Sequence, residues 1–289
     1  MKPRAEAGTY AALAVGLAVL VACAGGISQT ATQPAVTTPL APAASAQTPA
    51  ARPAGFLTSA TLPNAIATIP VAPKEGEARN TLDWDIFRKT RALEGTDRWA
   101  LAKNDDSYKP VDLLKDFSCS VGVSLTPENS PTLMSILQRT TLDAGLAAEA
   151  AKQLYRRTRP FLHNPGNICI DREGGIAKSF DYPSGHASLG WTAGLVIAQL
   201  APDHATPVLA RGRAYGESRV VCGVHNMSAV EAGRTNAAGV FAALQGSDEY
   251  RAALDKARAE LAAARAAGGV PDAAACAKEA ELVKPLAVD

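Results

Sequence analysis

An all-α fold, a single-domain bundle around a buried central helix, is predicted by three features of the sequence. Apolar residues recur at helical spacing through most of the chain beyond residue 80, runs of β-branched residues with a period of two are few, and no internal repeat is visible. The stretch from Ala187 to Leu200 is almost wholly apolar and stops at Pro202. It falls short of the roughly 18 residues a membrane span needs, so it reads as a core helix buried on all sides.

The other elements follow in order. Leu82, Ile86, Phe87, Thr90 and Leu93 share one helical face. Thr126-Pro127-Glu128 and Ser130-Pro131 are helix-start signals before a helix from Leu133 to Ala144, and Leu146 to Arg157 reads as another. Beyond the central helix, the segments Ala205 to Ser218, Val224 to Leu244 and Asp248 to Ala267 keep the same period. Gly268, Gly269 and Pro271 end the last of them.

The 289 residues include 47% apolar side chains, enough for a core that hides about 70 to 75% of the unfolded surface. Lys and Arg number 29 against 28 Asp and Glu, so no net field favours a polyanion, and nucleic acid is not expected as a partner. A multi-span membrane enzyme is excluded by the lack of apolar runs of spanning length after the N-terminus.

The N-terminus itself has the order of a secretory signal: Lys2 and Arg4, an uncharged stretch from Tyr10 to Ala22, then Cys23. Leu20-Val21-Ala22-Cys23 is similar to a bacterial lipoprotein box, which makes residues 1–22 a removable signal and Cys23 the lipidated first residue. Residues 23–55, rich in Ala, Pro and Thr with Arg52 as the only charge, read as a disordered tether, and residues 56–289 as the folded domain. The expected location is the periplasm, with the membrane met only through the lipid anchor. Cys119, Cys169, Cys222 and Cys276 lack any C-x-x-C pair. An even count in an exported chain favours two disulfides, with three pairings open.

Three clusters carry chemistry. Lys152 and Arg159-Pro160 lie in KQLYRRTRP, where proline makes the chain leave a helix. Ser184-Gly185-His186 precedes the apolar helix, so its amides form an anion-binding helix N-terminus. Ser218-Arg219 and His225 precede a further helix. Each cluster alone has a structural explanation: a solvated basic helix end, a cap, a satisfied core histidine. Together they supply three cations, free amides and two imidazoles, which suits a phosphoryl group. His163, His186, His204 and His225 lack metal-ligand spacing with a carboxylate, so neither a metal nor another cofactor is expected.

The order K-x6-RP, PSGH, SR-x5-H resembles the type 2 phosphatidic acid phosphatase (PAP2) and vanadium haloperoxidase superfamily, in particular its bacterial class A nonspecific acid phosphatases. The similarity extends over roughly residues 80 to 265, through Asp143-Ala144-Gly145, Gly190-Trp191 and RGRAYGESR. The resemblance implies the helical fold of that superfamily and metal-independent hydrolysis of small phosphomonoesters through a phosphohistidine, with an acidic optimum. It makes His225 the nucleophile, His186 the general acid and then base, and Lys152, Arg159, Ser184, Gly185 and Arg219 the phosphate-binding set. It also implies inhibition by inorganic phosphate or vanadate, and disulfides joining Cys169 to Cys222 and Cys119 to Cys276. A homo-oligomer is left open.

One position departs from the pattern. The family has an aspartate four residues after the nucleophile, to hold its imidazole, and here that residue is Ala229. Asn226 replaces an aromatic residue. Glu231, the nearest acid in sequence, lies about 240° around a helix from His225 and is a poor substitute. The alternative reading is therefore a phosphate-binding protein with weak or no turnover. Haloperoxidase activity is a second rival reading, and lipid phosphate hydrolysis ranks below that of soluble monoesters.

Overall fold

The structure, a computed structural model, describes residues 54–287. The signal segment 1–22, Cys23 and the tether as far as residue 53 lie outside the described residues. Among the described residues there are ten α-helices and no strand. They are α1 (Ala65–Thr68), α2 (Ala78–Thr90), α3 (Asp97–Asn104), α4 (Pro110–Val121), α5 (Pro131–Tyr155), α6 (Gly185–Leu200), α7 (Ala205–Val221), α8 (Met227–Leu244), α9 (Asp248–Ala266) and α10 (Ala273–Leu282).

Local chemistry sets the ends of these helices. Pro110 occupies the first turn of α4, where its missing N–H leaves no bond unmade, and Gly122 ends the helix at φ 76°, a left-handed conformation that suits glycine. The Ser184 hydroxyl accepts from Ala187 N to start α6. At α5, Ser130 makes no side-chain cap, and Glu260 of α9 takes its place by accepting from Thr132 N at 2.9 Å. A carboxylate there also complements the helix dipole.

Helix α6 is the centre of the bundle. It packs most extensively against α7, then α8 and α5, and none of its residues is exposed. Leu189, Val196 and Ile197 join Leu113, Phe117 and Leu137 in the main core. Two close approaches draw the helices together. A Cβ on Gly212 of α7 would sit 2.9 Å from Gly190 O of α6, and one on Gly233 of α8 would sit 2.5 Å from Ser184 O, so only glycine fits either place. A buried ion pair fixes the loop before α4: Arg211 Nη2 donates to Asp105 Oδ1 at 2.6 Å, and the Ser218 hydroxyl donates to Asp105 Oδ2 at 2.6 Å.

Several expectations are corrected in detail. The segments read as two helices on either side of Gly145 are the single helix α5, because Gly145 has open space around it and the residues flanking it bury the same face. Helix α8 begins at Met227, which leaves His225 in the turn before it. Leu82 is 53% exposed, while Ile86, Phe87 and Thr90 of its predicted face are buried. Helices α1, α3, α4 and α10 lie outside the segments that the sequence pattern predicts. Cys119 pairs with Cys276 and Cys169 with Cys222, the pairs the resemblance implies.

Candidate active site

Four chain segments meet at the N-terminus of α6. Helix α5 carries Lys152 in its last turn and ends at Arg156, whose φ of 44° turns the chain towards Arg159 and Pro160. Residues 179 to 184 lead into α6, and the end of α7 carries Arg219. The turn between α7 and α8 carries His225, whose amide donates to Arg219 O at 3.2 Å. The backbone also ties the first turn of α8 to the entry of α6, since Ser184 N donates to Ala229 O at 2.9 Å.

His225 is 2% exposed and both ring nitrogens are engaged. Arg159 Nη1 donates to Nε2 at 3.0 Å, and Nδ1 lies 2.9 Å from Asp181 Oδ1. A guanidinium only donates, so Nε2 holds a lone pair and the proton of the neutral ring is on Nδ1. Burial pushes the imidazole pKa well below 6.5, and Arg159, Lys152 and Arg219 push it further, against a smaller upward pull from Asp181, which favours the neutral ring. Burial, with Arg159 second, lowers Lys152 to about 8; its Nζ donates to Phe180 O at 3.1 Å.

Arg219 is fully buried. Its Nη2 donates to Asp106 Oδ1 at 2.7 Å, while Nε and Nη1 have no partner among the described residues. Buried guanidinium donors left unpaired are costly unless an anion meets them. His186, 3% exposed in the first turn of α6, lies 3.0 Å from Asp106 O through Nε2 and 2.6 Å from the Tyr108 hydroxyl through Nδ1. The carbonyl can only accept, so Nε2 carries the proton and the neutral ring accepts from Tyr108 at Nδ1. Burial and then Arg219 depress this imidazole well below 6.5 too.

Not every predicted residue faces this cup with its side chain. The Ser184 hydroxyl is used as the helix cap, and Gly185 offers its backbone amide in the first turn, where no intrahelical acceptor exists. The other two cations of KQLYRRTRP point elsewhere: Arg156 bonds to Gln153 O, and Arg157 binds Asp83, Asn80 and Ser228. Glu231 pairs with Arg79 away from His225. Sequence reasoning missed Asp181, Asp106 and Tyr108. The signal for Asp181 was at hand, a carboxylate directly before the Tyr182-Pro183-Ser184-Gly185-His186 motif. Among the described residues, no group of three or more His, Cys, Asp or Glu side chains is arranged to hold a metal ion.

A family model described as the PAP2 superfamily matches residues 133–248, which include both histidines and all three cations of the cup. The chain belongs to the PAP2 superfamily. Among PAP2 relatives, an acid phosphatase of Zymomonas mobilis subsp. mobilis is 39% identical over 206 residues, covering 71% of this chain and 78% of the relative. A non-specific acid phosphatase of Providencia stuartii is 33% identical over 201 residues (69% and 81% covered), and one of Salmonella typhimurium is 33% identical over 195 residues (67% and 78%). The helical architecture fits the same superfamily.

Proposed function

We propose that this chain, an acid phosphatase of the PAP2 superfamily, hydrolyses small phosphomonoesters without a metal ion, through a phosphohistidine on His225. The observation that carries the reading is His225 Nε2 held as an acceptor, its lone pair turned to the Arg159 guanidinium, with a buried Arg219 near it that has two unpaired donors. Arg159, Arg219, Lys152 and the amides of Gly185 and His186 take the phosphoryl oxygens. His225 Nε2 forms a bond to phosphorus as the bond to the ester oxygen breaks. His186 gives its proton to the departing alkoxide. Water then attacks phosphorus, His186 takes the water's proton, the N–P bond breaks, and inorganic phosphate leaves.

The depressed basicity of His186 suits an acidic working range. Its lowered pKa favours the neutral ring in the free enzyme, and the negative charge of a bound substrate raises that pKa so that the proton is gained with the substrate. Inorganic phosphate and vanadate are inhibitors on this reading. The neutral imidazole of the nucleophile stands against the rival reading as a simple anion-binding protein, which a protonated pair would serve better.

Export and anchoring through Cys23 belong to the same reading, supported by the order of residues 1–23 and by two disulfides. No helix among the described residues is long and apolar enough to cross a membrane. Fatty-acid labelling that persists in Cys23→Ser would remove the anchor from the proposal.

The decisive experiment traps the intermediate. Rapid acid-free quenching with a ³²P-labelled monoester is expected to label His225, and His225→Ala is expected to lose both label and release of p-nitrophenol from p-nitrophenyl phosphate. Label on another residue, or turnover by His225→Ala, sinks the mechanism.

A further inference from the structure

Asp181 lies 44 positions before His225 in the sequence and is fully buried against it. Its Oδ1 is 2.9 Å from His225 Nδ1 and accepts from Asn226 N at 3.1 Å. Its Oδ2 accepts from Asn226 Nδ2 at 2.8 Å and faces Arg157 Nη1 at 3.4 Å. All four groups around the carboxyl are donors. A protonated carboxyl would have to donate, and no acceptor is in place, so the group is a carboxylate. Burial raises its pKa, while Arg157 first, then Asn226, then Arg159 hold it down.

We propose that Asp181 is the positioning carboxylate of the nucleophile, supplying from the segment before α6 what the superfamily's pattern supplies from the position of Ala229. The proposal rests on the phosphohistidine reading above. Three observations favour it. Ala229 is fully buried in an apolar cluster with Ala151 and Tyr182, so its side chain serves packing and its carbonyl serves Ser184 N. Asn226, the second departure from the pattern, gives two of the three hydrogen bonds to the Asp181 carboxylate. One rearrangement thus accounts for both substitutions. Glu231, the other acid nearby in sequence, is spent on Arg79.

The role is to hold the ring, fix its proton on Nδ1 so that Nε2 keeps the attacking lone pair, and stabilise the positive charge that His225 gains on phosphorylation. The groups facing Asp181 are His225, Asn226 and Arg157, with Arg159 and Lys152 adding positive charge nearby.

The test is Asp181→Asn, matched in shape, assayed with p-nitrophenyl phosphate beside the wild type and His225→Ala. Expected is a fall in kcat of about 10²- to 10⁴-fold, by analogy with the aspartate of a serine-protease triad. The inhibition constant of inorganic phosphate should stay within about threefold, because no phosphate ligand is touched. The acid limb of kcat/KM should move to lower pH, since removing the neighbouring negative charge makes the imidazole harder to protonate. A kcat within about threefold of wild type, or a loss of phosphate binding as large as the loss of kcat, overturns the proposal. A wild type that never labels His225 overturns the mechanism instead, and in that case Asp181 is read directly. In ¹⁵N-histidine spectra of unaltered protein, a proton on Nδ1 of His225 supports the assignment and a proton on Nε2 overturns it. The same spectra decide the matter if Asp181→Asn does not fold.

Discussion

Asp106 Oδ1 accepts from Arg219 Nη2 at 2.7 Å, so in the free protein a carboxylate of the loop before α4 stands where a buried guanidinium awaits an anion. The Asp106 side chain is 40% exposed and Arg219 is not exposed at all. An incoming phosphoryl group must share Arg219 with that carboxylate or displace it. Asp106→Asn is expected to lower both KM and the inhibition constant of inorganic phosphate by about three- to tenfold, the equivalent of roughly 0.7 to 1.4 kcal/mol. Unchanged or weaker phosphate binding would show that the two anions do not compete.

Tyr108 donates its hydroxyl hydrogen to His186 Nδ1 at 2.6 Å. That bond favours the neutral imidazole and holds down its basicity. Tyr108→Phe is expected to raise the pKa of His186, read by NMR titration of the ring, and to shift the alkaline limb of the kcat profile upward. A titration midpoint that stays put, or falls, counts against the bond seen here.

The histidines also shape stability. Folding lowers the pKa of both His186 and His225 below 6.5, so the folded state binds fewer protons than the unfolded chain once the pH drops below that value. The stability they confer is present above pH ~6.5 and is lost as the pH falls towards the folded values. Denaturant unfolding should therefore show stability declining below pH 6.5, with a shallower decline in His186→Asn. Saturating phosphate should restore part of the loss by binding only the folded state. Equal slopes in the two proteins would contradict the linkage.

The two disulfides should differ in effect. Cys169–Cys222 joins the segment after Arg159 to the residue three places before His225, whereas Cys119–Cys276 holds α10, a helix with no buried residue, against α4. Replacing the first pair by serine is expected to lower activity and to cost about 2 to 4 kcal/mol of stability. Replacing the second should expose α10 to limited proteolysis while leaving kcat within about twofold. Activity lost equally from both would argue against this division.

Much of the architecture was legible because the helices around the core repeat apolar residues at a helical period, and α6 is apolar on every side. Helices α3 and α10 were not, since charged and small residues dominate them and α10 is held by a covalent bond more than by a buried stripe. Gly145 read as a break because glycine is a poor helix former, yet long-range packing of Ala144, Ala147 and Ala148 carries the helix through it. The cations and imidazoles that meet at the N-terminus of α6 were visible as three motifs. The partner of His225 is legible only as a carboxylate directly before the Tyr182-Pro183-Ser184-Gly185-His186 motif, since Asp181 sits 44 positions before the histidine. Contacts of that kind leave no periodic trace.

Where α8 crosses the entry to α6, a hydrogen atom on Gly233 takes the place of a methyl group that would lie 2.5 Å from Ser184 O. His186 follows Ser184 by two residues and His225 precedes α8 by two. The gauge between His186 and His225 is thus set partly by an atom that is absent. A change as small as glycine to alanine there would widen the gap by wedging the scaffold, without altering any group that meets the substrate.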